Sequence, residues 1–176
     1  MIFALIQTLD LKKAESAFDA FIKLSSIEGE SKDDRHKGWI EVLKYGLGKR
    51  QRITKAPSSC GGACAGRADF LNLVFKKEID ASTPLLSLAC AEGRHIDEVV
   101  LDICRAGGDK MSFMQYRFQN CMIRLVSTLS NRYQGLDLVW IDYGKVLWDY
   151  TVQSRSHGGP MGHIMAGWNL QTNSRA

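Results

Sequence analysis

Long hydrophobic runs and proline are both scarce in this chain of 176 residues. No apolar stretch reaches the roughly 18 residues of a membrane-spanning helix, so the sequence predicts no membrane insertion. Three prolines against sixteen glycines indicate many tight turns. The net charge of +4 is mild and does not argue for nucleic-acid binding. The hydrophobic share of 45% and the charged share of 24% are ordinary for one globular domain.

The five cysteines have no paired spacing, and an odd number argues against a disulfide framework. They indicate free thiols in a reducing compartment. Cys60 and Cys64 lie four positions apart in a glycine-rich stretch, without the two-residue gap of a zinc knuckle, so no metal site is predicted. The apolar start, Met1–Ile6, has no preceding basic region and no small-residue cleavage site, and a secretory signal peptide is not predicted.

Catalytic motifs are also missing. Gly46-Leu-Gly-Lys49 fails as a phosphate loop, because Arg50 stands where Ser or Thr should bind magnesium. There is no Gly-x-Ser-x-Gly elbow, and His36 and His95 have no obvious nucleophile beside them in the sequence. The aromatic residues do not interleave with the basic cluster, as they do in a nucleic-acid platform. We therefore predict no catalytic residue and no cofactor, and we expect carboxylates such as Asp33 to be solvated.

One stretch, Asp80–Gly93, changes the hydrophobic period from two residues to about 3.6. It predicts a single short helix over about residues 83–92, with Ser82 as the N-cap and Gly93 as the left-handed residue that ends it. The predicted apolar stripe comprises Leu85, Leu88 and Ala89, widened by Leu86 and Cys90.

Most of the remaining chain alternates with period two, which is typical of an antiparallel β-barrel or sandwich. A phase slip at Asn120–Cys121 predicts a bulge or bend, and Lys49–Arg67 is predicted to be a long basic loop. The predicted strands include Ala17–Leu24, Trp39–Gly48, Ala68–Ile79, segments through Val99–Ile103 and Met114–Leu125, the pair Leu136–Tyr143 and Lys145–Gln153 around Gly144, and Ile164–Leu170.

The predicted strand Trp39–Gly48 has two unequal faces. Trp39, Leu43 and Tyr45 share one face. On the other face the side chains become smaller along the strand, from Lys44 to Gly46 and Gly48. Small residues on one face either permit close approach of another segment or line an open space, and the sequence leaves both interpretations open.

The order and spacing of several short motifs resemble the haemolysin-coregulated protein (Hcp) family of bacterial type VI secretion systems. The resemblance extends from Phe18 to about Asn173, although Asn169 stands where the family more often has Asp. The motifs are Phe18–Lys23 followed by Gly29-Glu-Ser31, Ile79-Asp-Ala-Ser-Thr-Pro-Leu-Leu86, Ala89-Cys-Ala-Glu-Gly-Arg-His95, Arg105-Ala-Gly-Gly108, Tyr143-Gly-Lys-Val146 with Tyr150, and Gly167-Trp-Asn169.

The resemblance implies a tube domain over residues 17–176, of which six copies form a ring. Rings would stack into an inner tube that is expelled with the spike from within a sheath. Lys44, Gly46 and Gly48 would face the central channel, where small effectors are carried. The long loop would contact the next ring through Lys49, Arg50, Arg52, Lys55, Gly61 and Gly62.

The resemblance further implies a structural protein without enzymatic activity, held in the bacterial cytoplasm before assembly and then secreted. Residues 1–16 extend beyond the usual start of the family, and we interpret them as a weakly ordered N-terminal extension. Two alternatives remain open at this point. One is a monomeric β-barrel that binds a small ligand, and the other is a secreted effector with an activity of its own.

Overall fold

The computed structural model describes residues 18–54, 64–106, 110–130, 135–153 and 160–176, with the backbone alone at residues 52–54, 64–65, 153 and 160. The predicted N-terminal extension and the loop residues Lys55, Gly61 and Gly62 lie outside these ranges. No helix among the described residues is long and apolar enough to cross a membrane. The described elements are β1 (Phe18–Leu24), β2 (Ile40–Val42), β3 (Lys44–Gly46), β4 (Lys49–Thr54), β5 (Cys64–Phe70), β6 (Leu73–Glu78), α1 (Ser82–Glu92), β7 (His95–Arg105), β8 (Ser112–Ser130), β9 (Gly135–Gln153), β10 (Pro160–Asn169) and β11 (Ser174–Arg175).

Nine of these strands form one antiparallel sheet, in which β11, β10, β9, β8, β7, β1 and β2 follow one another as neighbours. The long strand β9 also pairs with β6, and β6 pairs with β3. The ladder is not closed, because β2 and β3 bond to different neighbours and are joined through the chain at Leu43. The predicted mainly β fold with a short helix is confirmed, with this open seam between β2 and β3.

The hydrophobic core lies on one face of the large sheet. Alternate residues of β1, β7 and β8 point into it, and Val139 and Ile141 of β9 pair with Phe75 and Leu73 of β6 to extend it. Each fully buried side chain of this size contributes about 1.5–3 kcal/mol to the free energy of unfolding. The buried cluster includes Ile22, Leu24, Ile40, Leu73, Phe75, Leu86, Ala89, Val99, Leu101, Ile103, Phe118, Cys121, Val139, Ile141 and Val146.

The helix is at the predicted position but turns a different face to the core. Gly93 is left-handed (φ +62°) and ends the helix as predicted. The N-cap is Ala81 and not the predicted Ser82, and the Asp80 carboxylate accepts from the Ser82 N–H over 2.8 Å. Leu86 and Ala89 are buried, but Leu85 and Leu88 are 42% and 48% exposed. The predicted stripe is therefore right at Leu86, Ala89 and Cys90 but wrong at Leu85 and Leu88. The helix has leucines on both sides, and the periodicity alone does not select one of them.

The predicted strand Trp39–Gly48 is divided at Leu43, where the inward-facing phase changes. Ile40 and Val42 are buried in β2, but in β3 it is Tyr45 that packs against the core. Leu43 donates its backbone N–H to the carbonyl of Lys76 and leaves its side chain exposed. The seam therefore moves the chain from pairing with β1 to pairing with β6.

The long basic loop predicted for Lys49–Arg67 is wrong over its described part, which forms an antiparallel hairpin of β4 and β5. The next predicted strand is also divided, because β5 ends at Phe70 and β6 begins at Leu73. Alternation along the predicted strand would place Leu71 and Ile79 on the same face as Leu73 and Phe75, but both are exposed.

Strand β9 runs without interruption from Gly135 to Gln153, so the pair of strands predicted around Gly144 is wrong. Gly144 lies opposite Asn120 of β8, where a Cβ atom would come within 3.1 Å of the Asn120 Cβ. The irregularity predicted at Asn120 is confirmed, because its φ is +55° and both Phe118 and Cys121 are buried. Close approach, rather than a turn, explains this glycine.

Candidate functional site

The three residues expected to face the channel lie on or next to β3. In the antiparallel register, Lys44 is opposite Lys76, Tyr45 opposite Phe75 and Gly46 opposite Val74. Because Tyr45 and Phe75 point into the core, Lys44 and Gly46 are on the opposite face of the sheet. This placement is compatible with a surface that lines a channel.

Gly46 and Gly48 have different surroundings. A Cβ atom on Gly46 would meet nothing within 4 Å, whereas one on Gly48 would lie 2.6 Å from Cδ1 of Leu71. Leu71 also donates its backbone N–H to the Gly48 carbonyl over 2.9 Å. Of the two interpretations left open by the sequence, Gly46 therefore fits the open space and Gly48 the close approach.

Three of the six residues expected to contact a second ring lie in the described part of the hairpin. Lys49 is opposite Phe70 at its base, and Arg50 forms an ion pair with Asp69 over 3.0 Å. Arg52 lies in β4, where the backbone alone is described. The remaining three, Lys55, Gly61 and Gly62, lie outside the described ranges.

The base of the hairpin packs on an aromatic cluster of the large sheet. Phe70 stacks on Trp148 with ring centroids 6.5 Å apart, and the Lys49 ammonium lies 4.8 Å from the centre of the Trp148 ring. The Tyr143 hydroxyl donates to the Leu71 carbonyl, and burial raises the pKa of Tyr143 to about 12. These contacts surround a cavity of about 120 Å³ lined by Leu47, Gly48, Lys49, Phe70, Tyr116, Tyr143, Val146 and Trp148. An isolated hairpin is marginally stable, so this base supports the hairpin of β4 and β5.

The paired second half of β9 and most of β10, Lys145–Gln153 with Pro160–Asn169, form a surface that we call the wing. One row of side chains crosses the sheet from Ile103 through Met114 and Tyr150 to Ile164. Exposure rises along this row from 1% at Ile103 to 43% at Tyr150 and 61% at Ile164. The core face therefore continues into the wing and becomes uncovered there.

The wing also has an open strand edge. In the described chain, β10 pairs with β11 only at Trp168 and Asn169, so the outer edge before them has no ladder partner. Met161 and Met165 are both 71% exposed beside it. An unpaired edge with large exposed apolar side chains is typical of a protein interface. The sequence analysis missed this surface, because alternation does not show which strands remain uncovered.

A buried ionic cluster surrounds His36, which the sequence analysis left without a partner. Its Nδ1 lies 2.9 Å from an Asp33 oxygen and its Nε2 lies 2.9 Å from an Asp102 oxygen. A neutral imidazole has one N–H, so donation to two carboxylates requires the charged imidazolium. Burial alone would lower the pKa of His36, but hydrogen bonds to Asp102, Cys104 and Asp33 raise it to about 10.

Asp33 is held in place rather than solvated, contrary to expectation. The Lys110 ammonium contacts it over 2.8 Å and also contacts Asp19 over 3.1 Å. These contacts, led by the hydrogen bond from Lys110 and supported by His36, hold the pKa of Asp33 well below its usual range. The cluster joins the connection after β1 to β7 and to the start of β8.

The His36 cluster has no catalytic arrangement. The Ser112 hydroxyl donates to Asp102 and not to the histidine. His36, Asp102 and Cys104 bring three potential metal-ligand atoms together, but an imidazolium that donates from both nitrogens has no lone pair for a metal. The cluster therefore connects segments of the fold.

A second buried cluster holds the start of α1 on the sheet. Lys77 is fully buried, and its ammonium contacts Asp80 over 2.7 Å and Asp137 over 3.2 Å. Burial alone would raise the pKa of Asp137, but the hydroxyls of Thr83 and Thr128 and the ammonium of Lys77 hold it below its ordinary value. Lys77 lies two residues after Phe75 and four after Leu73, on the same face of β6. This period of two was the sequence signal for its burial.

Comparisons with known proteins identify the family of this chain. The model of the family described as type VI secretion system effector, Hcp, matches residues 21–150. Protein hcp1 of Pseudomonas aeruginosa is 33% identical over 165 residues, which cover 91% of this chain and 99% of that protein.

Solved structures agree with the sequence matches. A structure described as a type six secretion system protein is 31% identical with a TM-score of 0.84, covering 91% of this chain and 100% of its own. Hcp1 from Salmonella typhimurium is 29% identical with a TM-score of 0.71, covering 92% and 100%. The chain belongs to the Hcp family, the secreted structural proteins that form the tube of the type VI secretion system.

Proposed function

We propose that six copies of this chain close into a ring, and that the rings stack into the inner tube of a type VI secretion system. The observation that carries this proposal is the wing, where the core face and a strand edge are uncovered together. A head-to-tail interface that closes by rotation produces a ring in which every copy covers the wing of its neighbour. Burial of Met161, Ile164 and Met165, the most exposed apolar side chains of the wing, would then drive assembly.

Stacking would use the arm formed by β4 and β5. The arm extends from the aromatic base around Trp148, and Arg50 and Arg52 lie in its first strand. The resemblance to the family assigns Lys49, Arg50, Arg52, Lys55, Gly61 and Gly62 to the contact with the next ring. The ion pair of Arg50 with Asp69 keeps the two strands together at this point.

Lys44 and Gly46 would line the central channel, with Gly48 packed on Leu71 behind them. Small effectors would be carried there, and the tube would leave the bacterial cell with the spike from within the sheath. The chain would perform no turnover, because its buried histidine is a charged structural group held between Asp33 and Asp102.

The solution mass tests the ring. The purified full chain should elute at a mass near six protomers by size-exclusion chromatography with light scattering, and negative-stain images should show rings. Ile164→Asp should reduce the mass to one protomer, because a charge on the wing face opposes its burial. Leu88→Asp, a matched change on α1, should leave the ring intact.

Two outcomes contradict this proposal. A strict monomer of the unaltered chain at high concentration would overturn the ring and favour a monomeric ligand-binding protein. Equal disruption by Ile164→Asp and Leu88→Asp would overturn the assignment of the interface to the wing.

A further inference from the structure

The first half of β10 carries two thioethers and an imidazole at alternate positions. His163 and Met165 are two residues apart in the strand, so their side chains lie on the same face of the sheet, opposite to Ile164. Met161 lies two residues before His163, at the β-bulge near the start of the pairing of β10 with β9. All three side chains are exposed. We call Met161, His163 and Met165 the Met-His row.

The neighbouring strand β9 holds one ring nitrogen of His163. Its Nδ1 lies 3.2 Å from an oxygen of the Asp149 carboxylate and 3.3 Å from the Thr151 hydroxyl. An ionised carboxylate only accepts, so the hydrogen belongs to Nδ1, and the lone pair of the neutral imidazole is on Nε2. Among the described residues, Nε2 has no hydrogen-bond partner.

This arrangement differs from that of His36 in the nitrogen that remains available. His36 lies between two carboxylates, and donation from both nitrogens leaves it no lone pair. In His163 the carboxylate holds one nitrogen only, and the second nitrogen faces solvent with its lone pair. A histidine that binds a metal ion almost always donates its other N–H in this way, often to a carboxylate. The orientation of His163 is therefore that of a metal ligand.

The donor atoms of the row select the kind of ion. Thioether sulfur is a soft ligand that favours Cu(I), and imidazole nitrogen also suits copper. Calcium and magnesium require oxygen ligands instead. A methionine side chain is unbranched and has three rotatable bonds, so the sulfur atoms on either side of His163 can turn towards an ion at Nε2. The Asp149 carboxylate, on the residue paired with Met165, adds a negative charge beside the cation.

We propose that the Met-His row binds one soft monovalent cation of the Cu(I) class. The ligands are Nε2 of His163 and the sulfur atoms of Met161 and Met165, and Asp149 is the positioning residue that orients the imidazole. The sequence analysis predicted no metal site, because methionines at alternate positions have the pattern of apolar residues in a strand. The proposal does not depend on ring formation, since all of its ligands come from one protomer.

Cu(I) binding is measured on the full chain with Ile164→Asp, because this change should leave β10 uncovered and replaces a side chain on the other face. Free thiols also bind Cu(I), so Cys60, Cys64 and Cys90 are replaced by serine, whereas Cys104 and Cys121 are buried and retained. Cu(I) is supplied without oxygen as its coloured bicinchoninate complex. This parent chain should remove one equivalent of Cu(I) from the chelator.

Substitutions in the parent chain identify the ligands. Met161→Leu and Met165→Leu keep an apolar side chain of similar size, and each should weaken Cu(I) binding at least about tenfold. His163→Gln should weaken it further, and Asp149→Asn should weaken it about tenfold because the imidazole is less firmly oriented. Met122→Leu removes a different exposed methionine and should leave Cu(I) binding unchanged.

Silver(I), which shares the preference for thioethers and is inert to oxidation, provides a second readout. In the parent chain labelled with ¹³C at the methionine methyl groups, silver(I) should shift the NMR signals of Met161 and Met165 and leave that of Met122 in place. Three results would overturn the inference: unchanged Cu(I) binding by Met161→Leu and Met165→Leu, an equal loss in Met122→Leu, or tighter binding of Zn²⁺ than of Cu(I) by the parent chain.

Discussion

The two halves of strand β9 have similar compositions but different surroundings. The first half, Leu136–Ile141, pairs with β6 and β8 and is almost entirely buried. The second half, Lys145–Gln153, pairs with β8 and β10 and is mostly half-buried, with Tyr150 exposed. Apolar residues stabilise the folded chain in the first half, whereas in the second half they remain available to a neighbouring molecule.

The buried end of the molecule differs from the wing in its charges as well. The first half of β9 places Asp137 against the fully buried Lys77, and His36 lies between two carboxylates near the start of β8. A buried ion pair contributes little net stability, but the loss of one partner leaves an uncompensated charge. Substitutions at this end should therefore affect folding, and substitutions in the wing should affect assembly.

Stability comparisons are made in the Ile164→Asp background, so that unfolding is not coupled to assembly. Lys77→Met should cause the largest loss, about 3–5 kcal/mol in the free energy of unfolding measured by urea titration, because it strands Asp137 and Asp80. Lys37→Met, at an exposed position, should change it by less than about 0.5 kcal/mol. A loss below about 1 kcal/mol at Lys77 would show that the ion pair does not hold α1 on the sheet.

His36 should give the molecule a defined pH dependence. Its folded pKa of about 10 lies above the ordinary value of 6.5, so its contribution is complete below pH 6.5 and decreases as the pH rises to 10. His36→Gln should cost about 3 kcal/mol at pH 6 and much less at pH 10. Urea titrations at both pH values measure this difference, with the exposed His95→Gln as control. A cost that does not depend on pH would refute the charged imidazolium.

Leu86→Ala should cost about 2 kcal/mol, at the low end for a buried leucine, because α1 buries few residues and can shift into the space. Leu88→Ala on the opposite side of the helix should change the free energy of unfolding by less than about 0.5 kcal/mol. Thermal unfolding of the two variants separates the buried face from the exposed one. Equal losses would contradict the observed orientation of α1.

Met165→Ala should have the smallest effect on the protomer, within about 0.5 kcal/mol, because its side chain is 71% exposed. When Met165→Ala is made alone, without Ile164→Asp, it should raise the lowest concentration at which rings persist upon dilution. The increase should be smaller than the one caused by Ile164→Asp, since Met165→Ala adds no charge. A large loss of protomer stability would mean that the wing belongs to the folding core.

Local structure was predictable from the sequence where it does not depend on contacts with distant parts of the chain. Gly93 ends α1 because its conformation is set locally, and the phase slip at Asn120 appeared directly in the alternation. The family was also recognisable, because the order of the motifs from Phe18 onwards can be read from the sequence without knowing which strands pair.

Long-range packing was not predictable in the same way. Gly144 indicated a turn, but its conformation serves the close approach of Asn120 from another strand. Alternation with Leu73 and Phe75 places Lys77 inside, but the pattern does not show which carboxylate compensates its charge, because Asp137 is 60 residues away. Prediction of the wing requires knowing which strand lies at the edge of the sheet, and no local sequence pattern contains that information.

The seam at Leu43 has a mechanical consequence. Between β2 and β3 the sheet is joined by the backbone itself, whereas everywhere else neighbouring strands are joined by ladders of weak bonds. A force that separates β1 from β6 passes through covalent bonds at Leu43, so the strands must separate first in the β1–β2 ladder or in the β3–β6 ladder. The seam therefore cannot lengthen by breaking hydrogen bonds, in a member of a family that is secreted through the type VI system.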